Sequence, residues 1–363
     1  MIDRRFFNLA LGGLLSVPFA HAQSRRIVKV ANPNSTVDVS QAFVTCGRDP
    51  RLKFYESEGL DIEYVNMSSQ TQAMLSIATG QADTGALVPA LFLPAIAKEP
   101  GLGLLAIYNW LPRNANVVVV DPDSPVRAIS DLAGKRIGIR NQGDGGIAQL
   151  QLMLTELGVS TQNIDFIAVG DGGLAGSALK QKKVDALVTY DTAAGRIEAV
   201  GFPLRYLPLP PQYEKLPAGW FGFRKKDLKD DRKTVVGFCR GMAKSSLFAT
   251  TNLAAALDLH WSLYPESKPK STSPEAVRKE MKTILAQRRI NWVRRPDDPD
   301  PRMGASSAGQ WRGTIASVAK SSGNPLLPQQ IGDPANIFTN ELIDEINDFD
   351  KAAVVRQAKS FKA

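Results

Sequence analysis

The tetrapeptide GDGG stands twice in the chain, at residues 143–146 and 170–173, each time between a short apolar run and an amphipathic one. Glycines at such a corner let the backbone approach a ligand, and a helix that starts there offers unpaired N–H groups. The acids within it, Asp144 and Asp171, can cap the following helix or accept hydrogen bonds from a cation or an NH-bearing solute. A third acid follows an aromatic at Tyr190-Asp191, where the ring can stack on a planar solute or sit half-buried at a strand end. Ser69, Gln70 and Thr71 begin a further helical pattern, where hydroxyls and amides suit an oxyanion or merely cap the helix. Arg113 and Arg140 fall at strand ends, as anion-binding forks or as solvated charges. Tyr108 and Asn109, with Trp110 beside them, either line a cleft or pack a hinge, and Trp220 and Phe221 read as hinge packing.

Catalytic chemistry has little to draw on. Beyond residue 22 the sequence holds one histidine, His260, within the helical pattern NLAAALDLHWSLYPE. Metal-ligand spacing of His and Cys, a G-x-S-x-G elbow and a Walker A sequence are all missing from the sequence, so neither a metal nor a cofactor is implied. Cys46 and Cys239 either pair across the fold in a compartment that permits disulfides or stand as free thiols, small and buried, and the free-thiol reading is preferred.

These residues fall on an alternation of short β-like runs and helical patterns, the signature of parallel sheets flanked by helices. RIVKVANP, LDIEYVN, DTGALV and LGLLAIYNW read as strands of a first unit. Residues 40–58, SQTQAMLSIATGQ and PALFLPAIAKEP read as its helices. NVVVVDP suits a long connecting strand. KRIGIR, IDFIAV, VDALVTYD and PLRYLPLP then read as strands of a second unit, with helices over GGIAQLQLMLTELG, LAGSALKQKK and TAAGRIEAVG. GWFGFRK reads as a strand returning to the first unit, and from residue 230 the pattern is mostly helical.

The N-terminus reads as an export signal. Arg4 and Arg5 precede an apolar stretch over residues 6–19, too short and too interrupted by Gly12, Gly13 and Pro18 to span a membrane, and Ala20-His21-Ala22 fits signal peptidase. Its removal leaves 42 basic and 35 acidic residues. Trp292 stands among arginines in AQRRINWVRRP, but a solvated basic face explains this stretch better than nucleic-acid binding does.

At ATGQADTGALVPA (residues 78–90), DLAGKRIGIR and VDALVTYD the chain resembles the periplasmic solute-binding proteins of ABC importers. The match is to the family serving nitrate, taurine, alkanesulfonates and thiamine-precursor pyrimidines, and it runs over about residues 27–225. The resemblance implies an α/β, two-lobe periplasmic binding protein fold of type II, with two crossing strands as hinge near residues 114–121 and 219–224 and a helical C-terminal region. Lobe one would comprise residues 27–113 and 222–363, lobe two residues 114–221, after a signal peptide over residues 1–22. It implies a cleft in which Asn34, Ser35, Ser69, Gln70, Thr71, Val88, Pro89 and Ala90 face the solute from lobe one. Asp144, Gly145, Gly146, Asp171, Gly172, Tyr190 and Asp191 would face it from lobe two, with Tyr108 and Asn109 as further candidates. Thr192 and Ala193 stand where the family has proline. The implied protein is a periplasmic monomer that binds a small polar organic solute, a nitrogen heterocycle or amine or else a sulfonate-type anion, and delivers it to a membrane permease and its ATPase. Two alternatives share the fold: an enzyme acting on a pyrimidine or menaquinone precursor, and an exported sensor input module.

Overall fold

Each run read as a strand pairs into one of two mixed sheets. The computed structural model describes residues 25–268 apart from Lys215, isolated positions between 273 and 298, and residues 300–362. The export signal at residues 1–22 and the basic stretch at 286–296 lie outside the described residues.

The first sheet is built from β1 (Arg26–Asn32), β2 (Leu60–Asn66), β3 (Thr84–Leu87), β4 (Leu104–Leu111) and, from far along the chain, β10 (Gly219–Arg224), in the order β2-β1-β3-β10-β4. β1 lies parallel to β2 and β3, whereas β10 runs antiparallel to β3 and β4. GWFGFRK does return to the first unit, wedged between two of its strands. The second sheet holds β5 (Asn116–Val120), β6 (Arg136–Ile139), β7 (Asp165–Ala168), β8 (Ala186–Tyr190) and β9 (Arg205–Tyr206), in the order β7-β6-β8-β5-β9. Two such α/β lobes make the type II periplasmic binding protein fold.

Helices follow the strands as the periodicity predicts: α1 (Gln70–Thr79), α2 (Pro89–Lys98), α3 (Gly145–Glu156), α4 (Gly173–Lys180) and α5 (Asp191–Ala199). The C-terminal region supplies α6 (Arg232–Thr251), α7 (Leu253–Leu263) and α8 (Ala308–Ser321). α6 places Val235, Phe238 and Met242 in one core with Val28 and Val30 of β1 and Phe221 and Phe223 of β10. α8 stacks Trp311 on Trp220 of β10 with centroids 4.1 Å apart, so the C-terminal helices belong to the core of the first sheet. Among the described residues no helix is long and apolar enough to cross a membrane.

One expected helix breaks up. Residues 40–58 form short helical turns, Val39–Gln41, Ala42–Thr45, Cys46–Arg48 and Glu56–Glu58, with a loop between them. Pro50 has no N–H to continue a helix and Lys53 takes φ 54°. Gly47, within the turns, is pressed against α6, where a Cβ would lie 1.9 Å from Ser245 Oγ. Cys46 and Cys239 are buried free thiols.

The chain passes between the sheets at residues 112–115, leading into β5, and at residues 207–218, leading into β10. The second passage meets the end of β4, just before the first passage, where Ala218 N donates to Leu111 O at 2.9 Å. Arg113 on the first is locked to Asp298 of the C-terminal region by a buried ion pair of 2.7 Å.

Candidate functional site

The strand-to-helix corners of both sheets converge between the lobes. After β1, Asn32 Nδ2 donates to the carbonyls of Asn34 and Thr36 at 3.1 and 2.8 Å, shaping a loop that ends at Asp38. Asp38 accepts from Ser40 N at 2.7 Å and so caps the first helical turn. Ser69 caps α1 by accepting from Gln72 N at 3.2 Å, and Gln70 is fixed by its donation to Ala86 O at 2.5 Å. α2 starts at Pro89 with no side-chain cap on Val88.

The two GDGG corners are built differently. Asp144 caps α3 by accepting from Gly146 N at 2.9 Å and also accepts from Arg140 Nε at 2.8 Å. Gly172 is the cap residue of α4, with φ 55°, a left-handed value that suits glycine, and no side chain caps that helix. Asp171 turns instead to Arg196 of α5 and pairs with it.

A cavity of about 110 Å³ lies between the lobes. From lobe one Asn34, Gln41, Gln70 and Val88 line it, and from lobe two Asn116, Arg140, Asp144, Gly145, Gly146 and Tyr190. Trp110, Ala218 and Phe221 form its hinge-side wall. Behind Arg140 a wider, open vestibule of about 820 Å³ is bordered by Ser35, Asp38, Ser68, Asp171 and Gly172. Arg140 and Asn34 border both spaces and bridge the lobes, with Arg140 Nη1 donating to Asn34 Oδ1 at 2.6 Å.

A second bridge runs beside the first. Tyr190 OH donates to Asp38 Oδ2 at 2.7 Å, Arg196 Nη1 stands 3.5 Å from the same oxygen, and Arg196 Nη2 donates to Tyr190 OH at 3.1 Å. The Arg140 guanidinium lies 4.6 Å from the centroid of the Tyr190 ring, a cation–π distance. Burial would raise the Asp38 carboxyl, but Arg196 and the hydrogen bonds from Ser40 and Tyr190 outweigh it and hold the group well below the usual carboxylate range. Burial would likewise lower Arg140 and Arg196, yet Tyr190 and the neighbouring acids keep both guanidiniums firmly charged. Burial pushes the Tyr190 phenol well up, so it acts as a neutral donor. Three carboxylates thus face two guanidiniums, an excess of one negative charge.

The remaining sequence candidates fall elsewhere. Pro89 and Ala90 border a second, smaller chamber. Ser69 lies across the lobe boundary from Gly143, where a Cβ would come within 2.9 Å of its own, and Thr71 is exposed on the first turn of α1. Tyr108 is buried in the core of lobe one with Phe221 and Phe223, and Asn109, also buried, donates its N–H to Gly304 O at 2.8 Å. Asp191 is buried at the start of α5, where its N–H donates to Ala115 O at 2.8 Å and its carboxylate accepts from Thr192 N at 2.7 Å. Arg113 is buried against Asp298 and Arg140 lines the cavity, so neither is a solvated strand-end charge. Asp38, Gln41, Asn116 and Arg196 were not legible as site residues. Asp38 had a signal as the N-cap in DVSQ; Arg196 had none, because only the fold brings α5 against the loop after β1.

Ser40 is on the cavity wall, but neither cysteine nor His260 is. His260 is buried on α7, its Nδ1 2.7 Å from Thr45 Oγ1, and burial, partly offset by Asp38, lowers it to about 4. Burial raises both thiols. Among the described residues no group of three or more His, Cys, Asp or Glu side chains is placed to hold a metal ion.

The model of the NMT1/THI5-like family matches residues 50–256. No curated protein matches the chain. Among solved structures, the alkanesulfonate-binding protein SsuA of Xanthomonas axonopodis pv. citri, bound to MOPS, is 18% identical with a TM-score of 0.63, covering 88% of this chain and 100% of that one. The periplasmic aliphatic sulphonate binding protein SsuA of Escherichia coli is 14% identical with a TM-score of 0.62, covering 87% and 93%. The desulfurization enzyme DszB is 14% identical with a TM-score of 0.52, covering 89% and 99%. These likenesses are likenesses of fold.

Proposed function

Since the chain belongs to the NMT1/THI5-like family, we propose that it is the exported, periplasmic solute-binding component of an ABC importer, trapping a small polar organic solute between its lobes and handing it to a permease and ATPase. The observation that carries this reading is the interlobe cavity, about 110 Å³ and lined by hydrogen-bonding groups from both lobes. A solute there contacts both lobes at once, so it stabilises the closed form over the open one, which is the differential a transport receptor needs. In this reading residues 27–113 and the described residues from 219 onward move as one lobe and residues 114–218 as the other, the expected boundary at 221 shifting because β10 pairs Gly219, Trp220 and Phe221 into the first sheet. Asn34, Gln70, Val88, Asp144, Gly145, Gly146 and Tyr190 contact the solute.

The pairing of the cavity's charges favours a solute that donates hydrogen bonds, an amine or an NH-bearing heterocycle. Arg140, the guanidinium on the cavity wall, is already paired with Asp144, so an anion would have to displace that acid. The fold likeness to DszB raises an enzyme as the second reading. Against it stand the burial of both thiols and of His260, away from the cavity wall.

A thermal-shift screen of amines, nitrogen heterocycles, sulfonates and carboxylates tests both. A ligand of the folded state stabilises it by about 2.7 kcal/mol at a hundredfold excess over its dissociation constant, and the bound compound is expected to be recovered unchanged. Conversion of a screened compound at a rate proportional to protein concentration would replace this reading with the enzyme.

A further inference from the structure

The cavity does not end at its polar groups. Val88, Gly145, Asn116 and Ala218 border it and also border a second chamber of about 60 Å³ between α3 and α8. Ala148 and Leu152 of α3 form one side of this chamber, Thr314 and Val318 of α8 the other, and Leu216 and Pro217 of the second passage close the back. One helix is from lobe two and the other from the core of lobe one, so the chamber, like the cavity, exists where the lobes meet. Just beyond it Glu156 and Lys320, on the same two helices, pair at 3.5 Å.

The chemistry changes across the neck. Among the described residues no charged side chain borders the chamber, and several of its polar groups are already satisfied by protein. Thr314 Oγ1 donates to Gln310 O at 2.9 Å and Ser321 Oγ to Val318 O at 3.1 Å, each within its own helix. Asn116 Nδ2 donates to Gln149 Oε1 at 2.5 Å, forming an amide pair at the neck. The lining is mostly carbon, with Asn114, Gln149 and Ser317 as its further polar side chains. A charged or strongly solvated group placed there would lose its water without gaining a partner, whereas an alkyl or aryl group would gain from burial.

We propose that the solute is amphiphilic: a hydrogen-bond-donating head in the cavity at Asp144 and Tyr190, and a short apolar tail that passes the Asn116–Gln149 neck into the chamber between α3 and α8. This rests on the solute-binding reading above, and names the second half of the molecule it would bind. Ala148 and Ser317, on opposite walls, set how long a tail is accepted.

The test is titration calorimetry of the mature protein with primary n-alkylamines from ethyl to octyl, with n-alkanesulfonates of the same lengths in parallel. The expected result is affinity that rises roughly fourfold per methylene until the chamber is full and then stops rising. Ala148→Leu narrows the chamber and is expected to weaken the longest members bound by wild type at least tenfold more than the shortest. Ser317→Leu does the same from α8, and melting without ligand identifies a variant that fails to fold. If short members bind and added length changes nothing, or if both variants weaken short and long members equally, the chamber holds no tail and this inference falls alone. If no member of either series binds, the tail inference falls, and the solute-binding reading falls with it where the thermal-shift screen of heterocycles and carboxylates is empty as well.

Discussion

Asp144 uses one oxygen to cap α3 and the other to hold Arg140, and an ionised carboxylate has about four acceptor sites. It therefore keeps acceptor capacity toward the cavity it borders. Asp144→Asn keeps the shape, removes one negative charge and frees Arg140, so its effect has opposite signs for the two kinds of solute. For a donor or cation it is expected to cost roughly 10-fold or more in affinity; for an anion it leaves affinity equal or better. Calorimetry with the strongest compound of the screen reads the sign directly. Asp171→Asn is expected to do less, because Asp171 faces the vestibule and is paired with Arg196, which borders the vestibule as well. The repeated GDGG was legible as a pair of corners, and its sequence left capping and binding open. The structure separates the copies: the first acid caps its helix, the second does not. What distinguishes them is Arg140, four residues before Asp144, against Arg196, twenty-five residues after Asp171, a partner that local sequence could not supply.

At the scale of elements, the strands and helices of both sheets were legible because their apolar spacing is local: LDIEYVN buries Leu60 and Ile62 and exposes Asp61 between them and Glu63 after them. The failure over residues 40–58 has a physical cause beyond Gly47, through which the helical turns run unbroken: Asp49 is extended, Pro50 has no N–H to continue a helix, and Lys53 takes φ 54°. Equally illegible was the partner of Arg113. The first passage between lobes is held by Arg113 against Asp298, both nearly buried. Removing one member of a buried pair strands the other, which typically costs about 3–5 kcal/mol. Arg113→Ala is therefore expected to lower stability by that order in urea unfolding, whereas Arg113→Met with Asp298→Leu, which strands no charge, should recover much of the loss. Equal destabilisation in both would mean that the guanidinium holds the passage through its other contacts.

For the molecule as a whole, the decisive feature is that protein groups bridge the lobes beside the cavity. Asp38 of lobe one accepts from Tyr190 and pairs with Arg196 of lobe two, and Asn34 accepts from Arg140. Such bridges bias the lobes toward closure before any solute adds its own contacts, and a bias of this kind raises apparent affinity by increasing the fraction of competent molecules. Asp38→Asn removes the charge at the centre of the larger bridge while keeping a side chain of the same shape. The expected outcome is a larger radius of gyration without ligand by small-angle X-ray scattering, with affinity reduced by roughly tenfold and recovered compaction at saturating solute. The pH dependence follows from the same residue. Because the folded state holds the Asp38 carboxyl below its unfolded value of about 3.9, its contribution is complete above that value and is lost only as pH falls through the lower, folded one. Scattering curves at pH 5 and pH 7 should therefore superimpose. A wild-type protein that opens between those two values would require a group other than Asp38 to hold the lobes together, and an Asp38→Asn protein as compact as wild type would leave closure to the α3–α8 contact on the far side of the cleft.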